Sequence, residues 1–359
     1  MQIRKKAECR WDLVSLGEVM LRFDPGEKRL TQARQFEVWE GGGEYNVARG
    51  LSSCFGGRAS IVTALVRNPV GALIESLVRQ GGVDVSHVHW LDFDGMGTAA
   101  RNGLYFLERG FGVRGALGCM DRGHTAVSQM KPGMVDWEST FGREGARWFH
   151  TGGIFCALSD STLEVAKEAM QAAKRHGAAV SFDCNYRPSL WRERGGRQAA
   201  ARANRELAQY VDVFFGDEGD LLLEPNDRSN ELPKHTDESY AEMASRVLQS
   251  YPNFHVIATT VREVRSATSN DFGAFAFAGG SMFRAPELHN LEILDRVGAG
   301  DSFASGLIYG LLEDKGMDWA LKCGMVHGAL TMTTAGDNSF ATLAEIERMI
   351  NGGLANVQR

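Results

Sequence analysis

The strongest constraint on this chain is an alternation that repeats from Trp11 onward: a short apolar run, a turn, then an amphipathic segment. The runs DLVSLGEV, ASIVTALV, ARWFHTGGI, AAVSFDCN, VDVFFGD and FHVIATTV suit buried parallel strands. VGALIESLVRQGGV places Val70, Leu73, Ile74 and Leu77 at helical spacing, and STLEVAKEAMQAAKRHG and SYAEMASRVLQSY are further helices. This order predicts an α/β fold with a doubly wound, mostly parallel sheet flanked by helices. Two stretches break it, about 20–40 and 98–122, where QFEVWE and ARNGLYFLERG alternate polar and apolar residues. They predict a small β-sheet lid with one wet face, over the ends of the main strands. The polar stretch 223–239 is read as a surface loop.

Composition narrows the function classes. A formal net charge of −6 argues against a broad nucleic-acid surface, and the arginines of RPSLWRERGGRQAAARANRELAQ are spaced as a solvated helix face. Six scattered cysteines without a CxxC pair read as reduced, mostly buried thiols. His87 and His89 lack a ligand partner at zinc spacing. The basic N-terminus has no apolar h-region and no run is long enough to span a membrane, so the protein reads as cytoplasmic.

Chemistry concentrates in DRVGAGDSFASGLIYGLL, residues 295–312. A dinucleotide fingerprint fails because Phe303 stands where a third small residue is required, and no GxxxxGK[ST] loop exists. Gly298 and Gly300 let the backbone turn tightly and present bare N–H groups to an anion, at the positive end of a helix starting near Asp301. Asp301 reads either as an ordinary N-cap or as an acceptor for a hydroxyl proton. Earlier in the chain, WEGGGEYNVARG is also glycine-dense before a helix. It is a hinge, or a site where Gly42 and Gly43 expose N–H groups to a sugar and Asn46 bonds hydroxyls with both ends of its amide.

Together these two stretches resemble the signatures of the PfkB/ribokinase family of carbohydrate kinases, over about residues 12–345. The resemblance implies one ribokinase-like kinase domain over 1–359, with the ATP site in its C-terminal half. It implies that Asp301 is the catalytic base and that Gly298, Ala299 and Gly300 hold the transferred phosphoryl group. Asp217 and Asp220 in FFGDEGDL stand as a D-x-x-D variant of the motif that organises Mg²⁺ through water. Thr260 matches the threonine of the nucleotide-side T-x-G, whose glycine is replaced here by Arg262. Asp295 matches an aspartate beside the monovalent-cation loop of ribokinase-like enzymes, and reads either as part of such a cation site or as a turn residue.

SFDCNYRPSLW resembles the D-x-N-x-R-x-x-LW motif of 2-keto-3-deoxygluconate kinases. It implies substrate contacts from Asp183, Asn185 and Arg187, and a guanidinium there suits a sugar carboxylate through paired bonds. Tyr105 and Arg122 match lid-side contacts of the same kinases, while Met120 or Asp121 stands where many relatives have tyrosine. The implied activity is ATP-dependent phosphorylation of the 6-hydroxyl of 2-keto-3-deoxygluconate, by a homodimer joined through the lid. Two alternatives stay open: a family kinase for fructose, ribose or a related keto-deoxy sugar, and a catalytically silent sugar-binding or regulatory protein.

Overall fold

A computed structural model describes residues 1–221 and 236–353. Most of the stretch read as a surface loop lies outside the described residues. Its end does not: Thr236 caps a helix, Asp237–Ser250, accepting the Ser239 N–H at 3.2 Å.

The apolar runs are strands: β1 (Leu13–Leu16), β4 (Ala59–Arg67), β8 (Trp148–Gly152), β9 (Ala179–Asp183), β10 (Val213–Phe215) and β11 (Val256–Ser266). With β5 (Val88–Asp92), β12 (Ser269–Ala278) and β13 (Ser281–Glu292) they form a nine-stranded sheet, ordered β13-β12-β11-β10-β9-β8-β1-β4-β5. Pairing is parallel from β5 to β11, and β12 and β13 add an antiparallel edge. Side chains alternate between two cores: Val14, Leu16 and Phe149 on one face, Leu13, Ile61 and Trp148 on the other. Helices Asp160–Arg175 and Asp237–Ser250 cover the first face, and Ala299–Leu312 and Met317–Thr331 the second. No described helix is long and apolar enough to cross a membrane.

The helix Pro69–Gln80 forms as expected but buries a different stripe. Gly71, Ile74 and Val78 face inward, while Val70 is 38% and Leu73 43% exposed. Gly71 sets this orientation, because any side chain there would overlap the Val66 carbonyl oxygen.

Residues 20–40 and 98–122 supply the second sheet: β2 (Met20–Asp24), β3 (Glu37–Gly41), β6 (Gly103–Glu108) and β7 (Leu117–Asp121), ordered β3-β2-β6-β7. Met20, Tyr105 and Leu107 pack inward with Val297. On the opposite face Phe23 stacks on Phe106 at 5.0 Å, and Phe36 meets both edge-on. All six cysteines are free, five of them buried and Cys119 exposed. His87 does have a carboxylate neighbour, Glu144 at 3.5 Å, brought by the fold from far along the chain. No group of three metal-ligating side chains forms among the described residues.

Candidate active site

The chain leaves β1 toward β4 on one side and returns through β8 on the other, so a crevice opens beyond their carboxyl ends. Glu44, two residues before Asn46, projects into it. Its carboxylate occupies the space that side chains at Gly17 and Gly152 would need, and its Oε2 has no hydrogen-bond partner. Nothing in the sequence periodicity marks Glu44 as inward, because its partners are strand ends far apart in sequence.

The glycine turn lies beside this crevice. Gly298 is the N-cap of Ala299–Leu312, in the left-handed region at φ 81° and without a side-chain cap bond. Any Cβ on Gly298 would overlap the Asp337 carbonyl oxygen, whereas one on Gly300 would meet nothing within 4 Å. The N-cap reading of Asp301 is therefore corrected: the helix starts two residues earlier, and the carboxylate of Asp301 is turned to Asn46. Asn46 Nδ2 donates to Asp301 Oδ2 at 2.7 Å, and Asn46 Oδ1 accepts the Gly42 N–H at 3.3 Å. Each end of the Asn46 amide thus makes one bond within the protein, leaving its second N–H and its second lone pair for another partner. The motif's asparagine ties the early glycine turn to the late one. Gly43 fits the gap between them, its missing Cβ 3.7 Å from Asp301 Oδ1 and 3.8 Å from Asn185 Nδ2.

Four acids converge here, and each is pushed upward. Burial raises Asp301 to about 6, opposed by the Asn46 bond and the Arg187 charge and reinforced by Asp337. Burial and the Asp301 charge raise Asp183 to about 7, and burial raises Glu44 to about 8. Asp220, buried and facing Asp217, rises to about 6. Carboxylates crowded in a poorly solvated place favour a cationic visitor. Arg187, four residues beyond β9, is exposed, and its Nη1 donates to the Tyr186 carbonyl oxygen at 3.3 Å. Asn185 beside it takes a left-handed φ of 34°, and its N–H reaches Asp183 Oδ1 at 3.1 Å.

On the small sheet, Tyr105 and Arg122 are each held by a carboxylate of the chain. Tyr105 is buried and its hydroxyl donates to Asp337 Oδ2. Arg122 grips Glu18 Oε2 through Nη2 and, at 2.9 Å, through Nε. Glu18 and Asp337, which hold these side chains, belong to no motif read from the sequence. On the other flank Asp217 Oδ1 accepts the Gly219 N–H at 2.7 Å, and Asp220 Oδ2 the Asp217 N–H at 3.2 Å. Thr260 and Arg262 follow on one face of β11, where Arg262 feels the charge of Arg296.

A mostly parallel sheet with an antiparallel edge, whose last strand leads into a glycine turn carrying a half-buried carboxylate, defines an α/β protein with a crevice at its strand ends. A profile of the pfkB family carbohydrate kinases matches residues 11–343, and the chain belongs to this family. It is 30% identical to a 2-dehydro-3-deoxygalactonokinase of Haloferax volcanii, over 97% of this chain and 99% of the relative. It is 26% identical to a 5-dehydro-2-deoxygluconokinase of Bacillus subtilis, over 96% and 97%. Its structure resembles that of a 2-dehydro-3-deoxygluconokinase from Thermotoga maritima, with a TM-score of 0.85, 34% identity and coverage of 95% and 99%.

Proposed function

We propose that the protein transfers the γ-phosphoryl group of ATP to the 6-hydroxyl of 2-keto-3-deoxygluconate. The observation that carries this reading is Arg187, an exposed guanidinium just beyond β9 whose charge acts on both Asp183 and Asp301. A neutral sugar has no use for that charge, whereas an aldonate carboxylate does. The names of the relatives point to keto-deoxy sugar acids as well.

In this reading Asp301 accepts the hydroxyl proton as the oxygen–phosphorus bond forms and the bond to the leaving ADP oxygen breaks. The N–H groups of Gly298, Ala299 and Gly300 and the helix N-terminus carry the negative charge of the transferred group. ATP lies along Asp217, Asp220, Thr260 and the glycine turn. Asp217 and Asp220 suit Mg²⁺, since they are hard, mutually repelling carboxylates and Mg²⁺ commonly takes one or two of these plus phosphates. The ion, when bound through water, neutralises phosphate charge. Gly42, Gly43, Asn185 and Arg187 face the sugar acid, with Asn46 steadying the base. The small sheet acts as a lid over the site in a single kinase domain, with Arg122 and Tyr105 on its inner side. Closure excludes water from the reacting phosphate. Free thiols and ATP use fit a cytoplasmic enzyme.

An ADP-release assay with Mg-ATP decides among substrates: 2-keto-3-deoxygluconate, its galactonate epimer, 5-keto-2-deoxygluconate, fructose and ribose. Turnover confined to neutral sugars would overturn the proposal, and sugar binding without any turnover would favour a silent binding protein. Arg187→Ala is expected to raise KM for the keto-acid by about 10- to 100-fold, with KM for ATP little changed. An unaltered keto-acid KM would remove Arg187 from the pocket. The outer face of the lid, with Phe23, Phe36, Val38 and Phe106, is proposed as a homodimer interface. Val38→Glu should then give monomers in sedimentation analysis, and an unchanged dimer would place the interface elsewhere.

A further inference from the structure

The small sheet and the glycine turn share one buried charge cluster that the proposed reaction does not use. Arg22, in the middle of β2, is fully buried. Its Nη1 donates to Asp337 Oδ1 at 2.8 Å, and its Nη2 to Asp24 Oδ2 at 2.8 Å and to Asp295 Oδ2. Asp24 also meets Arg109 at 3.2 Å. Asp295 lies three residues before Gly298, and the Asp337 carbonyl packs where a Cβ of Gly298 would be. The two carboxylates that Arg22 joins therefore flank the turn that carries Asp301.

We propose that Arg22 is a positioning residue for phosphoryl transfer: its guanidinium is the resident cation for Asp295 and Asp337, so the turn needs no dissolved monovalent ion. This rests on the reading of Asp301 and the glycine turn as the transfer site. A monovalent cation beside Asp295, one of the two readings of that residue, does not fit the residues present. Asp295 Oδ1 already accepts the Val297 N–H at 3.2 Å, and Oδ2 accepts Arg22 and the Gly336 N–H at 3.4 Å. Asp337 Oδ1 accepts Arg22, and Oδ2 accepts the Tyr105 hydroxyl. A metal cation needs lone pairs turned toward it, and here donors are turned toward them instead. A planar guanidinium reaches three carboxylates in fixed directions, which a spherical ion does not. Because β2 supplies it, the cation also fastens the small sheet to the turn.

Removing Arg22 leaves Asp24 paired with Arg109, while Asp295 and Asp337 keep only neutral donors, the Val297 and Gly336 N–H groups and the Tyr105 hydroxyl. Asp301 is faced by Asp337, by Glu44 from the helix Gly43–Arg49, and by Asp183 and Arg187 from the end of β9. Of these, Asp337 is the one that Arg22 neutralises directly.

The test begins with the unmodified protein. Its kcat should change by no more than about twofold when K⁺ is replaced by Na⁺ or choline at constant ionic strength. A rise of about tenfold or more on K⁺ would overturn the proposal. Arg22→Ala should lower kcat about 10²-fold, with a smaller change in KM for ATP, through misplacement of the turn. It should also move the acid limb of kcat/KM upward by about half a unit or more, and millimolar guanidinium should restore part of the rate. A folded Arg22→Ala that keeps its kcat and pH profile would overturn the proposal. If that variant does not fold, Arg22→Gln, which also removes the charge but fills more of the space, takes its place with the same expected limb shift, and the cation series still decides. Activity retained by Asp301→Asn would instead refute the transfer site itself, whatever Arg22 does.

Discussion

Asp301→Asn is expected to lower kcat by about 10²–10⁴-fold, the usual share of a general base. Loss of positioning contributes little, because Asn46 Nδ2 still finds an amide oxygen where it now meets Asp301 Oδ2 at 2.7 Å. The pH profile offers an independent check. The base must be ionised, and burial holds its carboxyl at about 6, so kcat/KM should rise with pH through about 6. Stability should run the opposite way. The folded chain binds this proton more tightly than the unfolded chain, so the contribution is complete at low pH and is lost as pH rises through about 6. The Asn variant should therefore be at least as heat-stable as the parent at pH 8. An inactive but destabilised variant would speak for a structural role, and one keeping a tenth or so of the parent kcat would remove Asp301 as the base.

The glycine turn yields the second large effect, and its two glycines should separate stability from chemistry. Gly298→Ala forces a side chain into a left-handed position and against the Asp337 carbonyl. It should cost about 2–4 kcal/mol of unfolding free energy and abolish turnover. Gly300→Ala lies inside the helix with open space around the added methyl. Helix propensity favours it by up to about 1 kcal/mol, so the fold should be unharmed or firmer. Yet that open space is where the transferred phosphoryl group is read to sit. Activity should fall about 10²-fold or more, as when one anion-stabilising donor is lost. A fully active Gly300→Ala would show that the phosphoryl group does not approach this turn.

The parallel sheet and the small sheet were legible because each follows from a local pattern. Apolar runs between amphipathic helices favour a doubly covered sheet, and one-faced alternation favours a half-wet one. The motifs were legible because glycine density and an isolated aspartate or asparagine carry their chemistry in the residue type. The inward stripe of Pro69–Gln80 was misplaced by one residue, since Gly71 has no hydrophobicity to announce the contact it permits. Glu18, Glu44, Arg22 and Asp337 were missed altogether. Each is a charged residue that periodicity assigns to solvent, and each is buried by partners distant in the chain.

The sequence by itself determined the class of fold, the two glycine turns and the acid that ends the second, because short-range sterics and polarity are written in neighbouring residues. Only the tertiary structure decided what those residues face. It turned Asp301 from a helix cap to the partner of Asn46, and it seated Arg22 against Asp295. Ionic and hydrogen-bond partners are chosen by distance in space, and residues 22, 295 and 337 become neighbours only when the small sheet folds onto the strand ends.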